Sequence, residues 1–208
     1  MEEVLSVYTR PYDATRPLIC MDEGAKTLQA QTHDPLPMQA GQVQREEYEY
    51  EREGFAHVFV AVEPLVGKRI IQARARRTKA DWAYFMRELI EVHYPQAEQL
   101  VVVMDTLNTH SPASFYEVFK PEVAWGLSQK LEIHHTPLHG SWLNMAEIKL
   151  PVLARQALSG RIPTLPVLQE RVAAWQEHRN QQQRTISWRF TTADARIKLK
   201  RLYPSIEA

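Results

Sequence analysis

Three carboxylates stand out as candidates for chemistry: Asp22, Asp105 and Glu147. The two aspartates each close a short apolar run, LICMD and LVVVMD, and Glu147 lies in an amphipathic stretch, HTPLHGSWLNMAEIKLPVLARQAL. Taken singly, each has an ordinary explanation, since strand-end aspartates serve in turns and helix glutamates are usually solvated. Taken together, they have the donor type for a hard divalent cation, which takes oxygen ligands from a few carboxylates, water and phosphate. Two such ions about 4 Å apart stabilise both the attacking and the leaving oxygen of a phosphodiester displacement. Catalysis of that kind is positioning and charge neutralisation, and it needs no nucleophilic serine or cysteine.

The elements that must position these acids can be read from periodicity. Residues 18–22 follow Pro17 as a buried strand, and period-two alternation puts Leu18, Cys20 and Asp22 on one face and Ile19, Met21 and Glu23 on the other. Only one of the two neighbouring acids can therefore share a site with another strand. Residues 27–54 carry no sustained period and read as a surface excursion or lid, with an acidic tract over 45–53. FAHVFVAV (55–62) and the basic-apolar alternation of 68–76 form a hairpin. Thr78 is the expected cap of a helix running to about Tyr94, before Pro95. The run ending at Asp105 is apolar on both faces, as a central strand under helices on both sides should be. Ser111-Pro112 opens a helix through 119, 121–130 forms another, and 131–135 is a strand. Ser141 is the expected cap of the Glu147 helix, 164–182 is amphipathic, and a last cationic helix runs from Thr191 or Thr192 to Leu202. Strand, hairpin, helix, strand, helices, strand and helix make an α/β layer architecture with a mixed sheet.

Composition sets the outer limits. Lys and Arg total 25 and so do Asp and Glu, so no global cationic field holds nucleic acid; such contact must come from local patches or another polypeptide. A single cysteine, Cys20, excludes an internal disulfide and fits a reducing compartment. MEEVLSVYTR lacks the apolar core of a signal peptide, and no run reaches membrane-spanning length, so the expected location is cytoplasmic, and nucleoid-associated if DNA is bound.

The segments CMDE, VVVMDTLNTH and HGSWLNMAE, in this order, closely resemble the catalytic part of mariner-related bacterial insertion-sequence transposases, a DDE family with an RNase H-like fold. The resemblance runs from about Pro17 through FTTADARIKLKRLYPS near the C-terminus. It implies an RNase H-like mixed central sheet with helices on both faces, and Asp22, Asp105 and Glu147 as a triad holding two Mg²⁺ or Mn²⁺ ions. It also implies metal-dependent cleavage of transposon ends and strand transfer into target DNA. The implied partners are double-stranded DNA (both the ends and a TA target), a second copy of the chain on that DNA, and an upstream helix-turn-helix part. The sequence departs from the family pattern at Thr106, where Asn is common, at Gly24-Ala25, where polar or cationic residues are usual, and at Pro151, one turn beyond Glu147. A proline inside a helix removes a hydrogen bond and crowds the carbonyl four residues back, here that of Glu147.

The organisation expected is a tail over 1–16, a catalytic domain over 17–160 and a helical extension packed on it over 161–208. Asn108, His110, Asn144 and Trp142 are candidates for supporting the site or touching DNA, with the Trp142 indole expected to fill core. Arg74, Arg76 and Arg77, in a basic stretch with Lys68, Arg69 and Lys79, are candidates for DNA-backbone contact on an exposed hairpin, as are Lys198, Lys200 and Arg201 near the C-terminus. His134, His135 and His139 lack a cysteine partner and have no structural-zinc spacing. Two other readings fit the same residues: a non-transposing RNase H-like nuclease, and a catalytically decayed or regulatory DNA-associated protein of this fold.

Overall fold

A computed structural model describes residues 1–33 and 49–202. Five strands, β1 (Leu18–Gln31), β2 (Tyr50–Glu63), β3 (Lys68–Arg74), β4 (Leu100–Met104) and β5 (Leu131–His135), form one sheet in the order β3-β2-β1-β4-β5. β1, β2 and β3 are successively antiparallel, while β4 and β5 run parallel to β1. This is the mixed sheet expected. β1 is longer than the apolar run that announces it: it stays paired with β2 from Cys20 opposite Val62 out to Gln31 opposite Tyr50, with a register shift after Leu28. That arm falls where the sequence shows no period, because partner backbone groups rather than a buried face hold it. The rest of the surface excursion, residues 34–48, with the first four residues of the acidic tract, lies outside the described residues, while residues 50–53 of that tract open β2.

The strand alternation sorts the core into two layers. Leu18 and Cys20 join Val58, Val60, Val62, Val101 and Val103 on one face. That face is covered by α1 (Glu2–Tyr8), α5 (Met145–Gln156), α6 (Leu165–Gln181) and α7 (Thr192–Lys198). Ile19 and Met21 join Phe59, Ala61, Val102 and Met104 on the other, under α2 (Lys79–Glu88), α3 (Ala113–Tyr116) and α4 (Pro121–Gln129). All five residues of β4 are buried, which is why it reads as unbroken hydrophobicity. Cys20 is buried as well, and burial pushes its thiol up to about 12.

Local chemistry explains several boundaries. Thr78 caps α2 in a reciprocal box: Asp81 N donates to Thr78 Oγ1 and Thr78 N donates to Asp81 Oδ2. The helix continues as a π-helical turn, Leu89–His93, closed by Tyr94 N donating to Leu89 O. Gly67 turns β2 into β3 at φ 77°, and a Cβ there would lie 2.7 Å from the backbone of Gln183. Edge strand β3 is not an open basic rim. Its outward backbone groups are taken by α6: Asn180 bonds both N and O of Arg69, Gln176 accepts from Ile71 N, and Gln169 donates to Ala73 O. Positions 169, 176 and 180 share one helix face, so α6 covers the edge residue by alternate residue. Arg69 is buried at 1% exposure and donates to the carbonyls of Gly67, Arg179 and Arg184. Lys68 donates to His93 O and lies over the Tyr94 ring.

The first residues, expected as a tail, contribute α1, whose Val4, Leu5 and Val7 enter the core. Charged contacts tie this end to β5. Glu132 accepts from Arg10 Nη1 at 2.7 Å, pairs with Arg16, and lies 2.8 Å from His134 Nε2; His134 Nδ1 is 2.6 Å from Glu3. Burial acts to raise the Glu132 carboxyl, but Arg10, His134 and Arg16 outweigh it and hold it down at about 2. Its folded value lies below the ordinary 4.5, so this stabilisation is present above that pH and disappears as pH falls through about 2. The melting temperature of Glu132→Gln should lie a few degrees below that of wild type at about pH 6, consistent with part-exposed pairs, and the difference should close by about pH 2.

Candidate active site

β1 and β4 are parallel neighbours with Cys20 opposite Val103. Continuing that register by two residues on each strand brings Asp22 beside Asp105, on the face that carries Cys20 and Val103. This is the face that α5 covers. The helix starts after a short 3₁₀ turn, Ser141–Leu143, and its cap is Asn144 rather than Ser141. Asn144 Oδ1 accepts from Ala146 N at 3.1 Å, while Asn144 Nδ2 donates to Met21 O at 2.8 Å. One buried amide thus starts the helix and fastens it to the residue before Asp22. Glu147 follows in the first turn, its N donating to Asn144 O.

The three carboxylates are electrostatic neighbours. Burial raises the Asp22 carboxyl to about 6, and the charges of Asp105, Glu147 and Glu23 add to that, against a hydrogen bond from Glu23 N to Asp22 Oδ1 at 2.7 Å. They do not form a closed cage: among the described residues, no group of three His, Cys, Asp or Glu side chains is drawn together to hold a metal ion. One Asp105 oxygen is engaged elsewhere, since Oδ1 lies 2.5 Å from His110 Nδ1. That approach is short but misaligned for a hydrogen bond, leaving both atoms without a hydrogen-bond partner, so charge holds the pair. The donor set still fits a hard divalent cation. It is all carboxylate oxygen, and a cation between the acids would offset both the burial of the Asp22 charge and its repulsion by Asp105 and Glu147.

His110 is buried, and its Nε2 is 3.1 Å from Glu23 Oε2. Burial alone would lower the imidazole; Asp105 and Glu23 reverse this and raise it to about 9. Glu23 therefore serves the opposite side of the sheet from Asp22, as the alternation requires, with Arg77 Nη1 3.6 Å from its Oε1. Sequence reasoning had both His110 and Glu23 but not their contact, which depends on the loop after β4 folding back.

The remaining candidates separate. Trp142 is not core: it is 43% exposed and meets the Phe190 ring edge-on at 5.5 Å. Asn108 is exposed at the tip of the loop after β4. Arg74 folds onto Gln72 and over the Phe59 ring, whereas Arg76 is exposed. Lys198 pairs with Asp194 at 3.7 Å and lies over Phe190, on the Trp142 side; Lys200 and Arg201 are exposed. Thr106 Oγ1 donates to Thr136 O, joining the loops after β4 and β5. An apolar crevice of about 300 Å³ lies beside Glu147, walled by Gly24, Val58, Leu150 and Pro151. α5 continues through Pro151 to Gln156, so the proline takes a hydrogen bond from the Glu147 carbonyl without ending the helix.

Two outcomes follow. The folded Asp22 carboxyl titrates above its ordinary 3.8, so wild type loses stability as pH rises through about 6. Asp22→Asn should therefore stabilise the metal-free protein above about pH 7, by on the order of 2 kcal/mol in a denaturant titration, with the gain gone near pH 4. Asn144→Ala, which removes a cap and a buried bond, should cost about 2 kcal/mol in the same assay, and Asn144→Ser, which keeps only the cap, about half of that.

Comparison with known proteins places the fold and the family. No curated protein sequence matches the chain. Among solved structures, the Mos1 mariner paired end complex with Mn is 14% identical over 85% of this chain and 52% of that one, with a TM-score of 0.55. The Mos1 transposase paired-end complex with left transposon end is 15% identical over 85% and 52%, at a TM-score of 0.53. The Mos1 strand transfer complex gives 14%, 85%, 51% and 0.55. This chain spans about half the length of those proteins, and the likeness is one of fold, which is RNase H-like. The family model for the DDE superfamily endonuclease matches residues 17–169, most of the chain, and the chain belongs to that family.

Proposed function

We propose that this chain is the catalytic part of a DNA transposase, cleaving transposon ends and joining them to target DNA, with Asp22, Asp105 and Glu147 as its catalytic and metal-holding residues. The observation that carries the reading is the convergence of these acids on one sheet face, through the β1–β4 register and the Asn144 link from α5 to Met21. A bound pair of Mg²⁺ or Mn²⁺ ions would supply Lewis-acid stabilisation of the charge that develops on the reacting phosphate. The chain's own part is to hold three oxygen donors at fixed spacing on rigid elements. Asn144 sets Glu147 relative to β1, and His110 turns Asp105.

Double-stranded DNA is the proposed substrate and a divalent cation the proposed cofactor, in keeping with a Mos1 complex that holds a left transposon end and another with Mn. With charge balanced overall, phosphate contact falls to exposed cations such as Arg76, Lys200 and Arg201, with Arg74, Arg77 and Lys198 beside them. Asn108 and Trp142 stand exposed beside the site and are proposed to touch the DNA. An upstream helix-turn-helix part would read the ends, and two copies would assemble on them. The catalytic unit is taken as 17–160, with 161–208 packed on it. Among the described residues no helix is long and apolar enough to cross a membrane.

A labelled transposon-end duplex, incubated with Mg²⁺ or Mn²⁺ and a supercoiled target plasmid, tests the assignment. Wild type should nick the duplex and join the freed 3′ end to the plasmid, and Glu147→Gln should lose at least about 100-fold of both, since it removes one of the charges that hold the metal. Equal activity in the two proteins would sink the catalytic assignment. Nicking without joining would support the non-transposing nuclease instead.

A further inference from the structure

Glu23 follows Asp22 but belongs to the other side of the sheet, where nothing in the proposed chemistry uses it. It is nonetheless built in: its side chain is 3% exposed, with Oε1 buried, without a hydrogen bond and 3.6 Å from Arg77 Nη1, and Oε2 3.1 Å from His110 Nε2. The His110 side chain is fully buried, and its other nitrogen faces Asp105 Oδ1 at 2.5 Å. The Trp82 ring lies 6.2 Å away between centroids at 31°, forming a wall beside the imidazole. Backbone bonds hold the loop in place: His110 N donates to Leu107 O, and Ser114 Oγ donates to Thr109 O. An acid, an imidazole and an acid therefore run through the interior from one sheet face to the other, ending on a carboxylate of the site.

We infer that Glu23 is a positioning residue: through His110 it fixes the orientation of the Asp105 carboxylate and thereby sets the affinity of the site for a divalent cation. A buried imidazole with a carboxylate at each nitrogen cannot turn without breaking one contact. Residues behind metal ligands typically change metal affinity by about 10- to 100-fold when altered. The inference rests on the proposed metal role of Asp105.

The test is Mn²⁺ binding to the whole chain, read from the paramagnetic resonance signal of free Mn²⁺ and without DNA. Glu23→Gln keeps the size and an acceptor oxygen but loses the charge; its Mn²⁺ dissociation constant should rise about tenfold. His110→Gln, which keeps a donor toward Asp105 but breaks the link, should lose a similar factor. The double variant should lose no more than either alone, because both act through one chain of contacts. Metal-free melting curves identify folded variants, and should Glu23→Gln fail to fold, His110→Gln against His110→Gln with Glu23→Asp carries the comparison. If Mn²⁺ binding is abolished by Asp105→Asn but unchanged in the folded Glu23 and His110 variants, the positioning role is wrong and the catalytic reading stands. Additive losses in the double variant would also overturn it. If wild type binds no Mn²⁺, or Asp105→Asn binds it as well, both readings fall.

Discussion

The site depends on one buried amide. Asn144 caps α5 with its oxygen and holds β1 with its nitrogen, so the strand that ends in Asp22 and the helix that carries Glu147 meet through a single planar group. Both ends of that group are engaged with backbone, leaving it no freedom to flip. A serine or aspartate could cap the helix, and neither could also donate to Met21 O from the same position. Tyr8 reaches the same place from α1, its hydroxyl donating to Leu143 O at 2.6 Å. The residue before the cap is thus held from the N-terminal helix and the cap itself from the central strand.

The second constraint is the twofold period of β1. Asp22 and Glu23 are adjacent, and the sheet gives them different neighbourhoods. Asp22 faces Asp105 and Glu147, whose charges help to hold a proton on it, while Glu23 faces a buried imidazole. Like charges gathered in a half-buried place destabilise the fold, and a site that works by such charges does so at the expense of stability. The closed core layers on both faces of β4 supply the rigidity against which that repulsion is held.

What the sequence made legible follows the range of the interactions involved. β4, β5 and α2 stand where hydrophobic runs and the Thr78 cap place them, because those signals are local. The outer half of β1 was not legible, since its residues are held by the β2 ladder and bury no continuous face. α1 carries apolar residues at helical spacing, but over seven residues packing alone decides whether a helix forms. Ser141 looked like the cap because it follows Gly140; the chain makes one 3₁₀ turn first and passes that role to Asn144. That same turn leaves Trp142 half outside the core it was expected to fill. In the basic hairpin the charges were visible but not their use: Arg69 binds carbonyls, and amides of α6 take the edge. Of the site, the three acids were legible by type and position, whereas the links among them run between residues far apart in the chain.

The departures from the family pattern take on a structural meaning in this frame. A Cβ on Gly24 would lie 3.3 Å from Leu150 Cδ2, so the absence of a side chain lets α5 lie close against β1 beside the site. Pro151 follows Leu150 and is exposed, in a helix already started by its cap and packed on the sheet, so the bond it lacks is lost where packing outweighs propensity. Thr106 joins the loops after β4 and β5 through Thr136 O. Gly24 and Pro151 therefore shape the crevice beside Glu147, and Thr106 ties the loop that follows Asp105 to the one after β5, while the contacts proposed to position the carboxylates, the β1–β4 register, the Asn144 link and the approach of His110 to Asp105, lie elsewhere on the strands and loops.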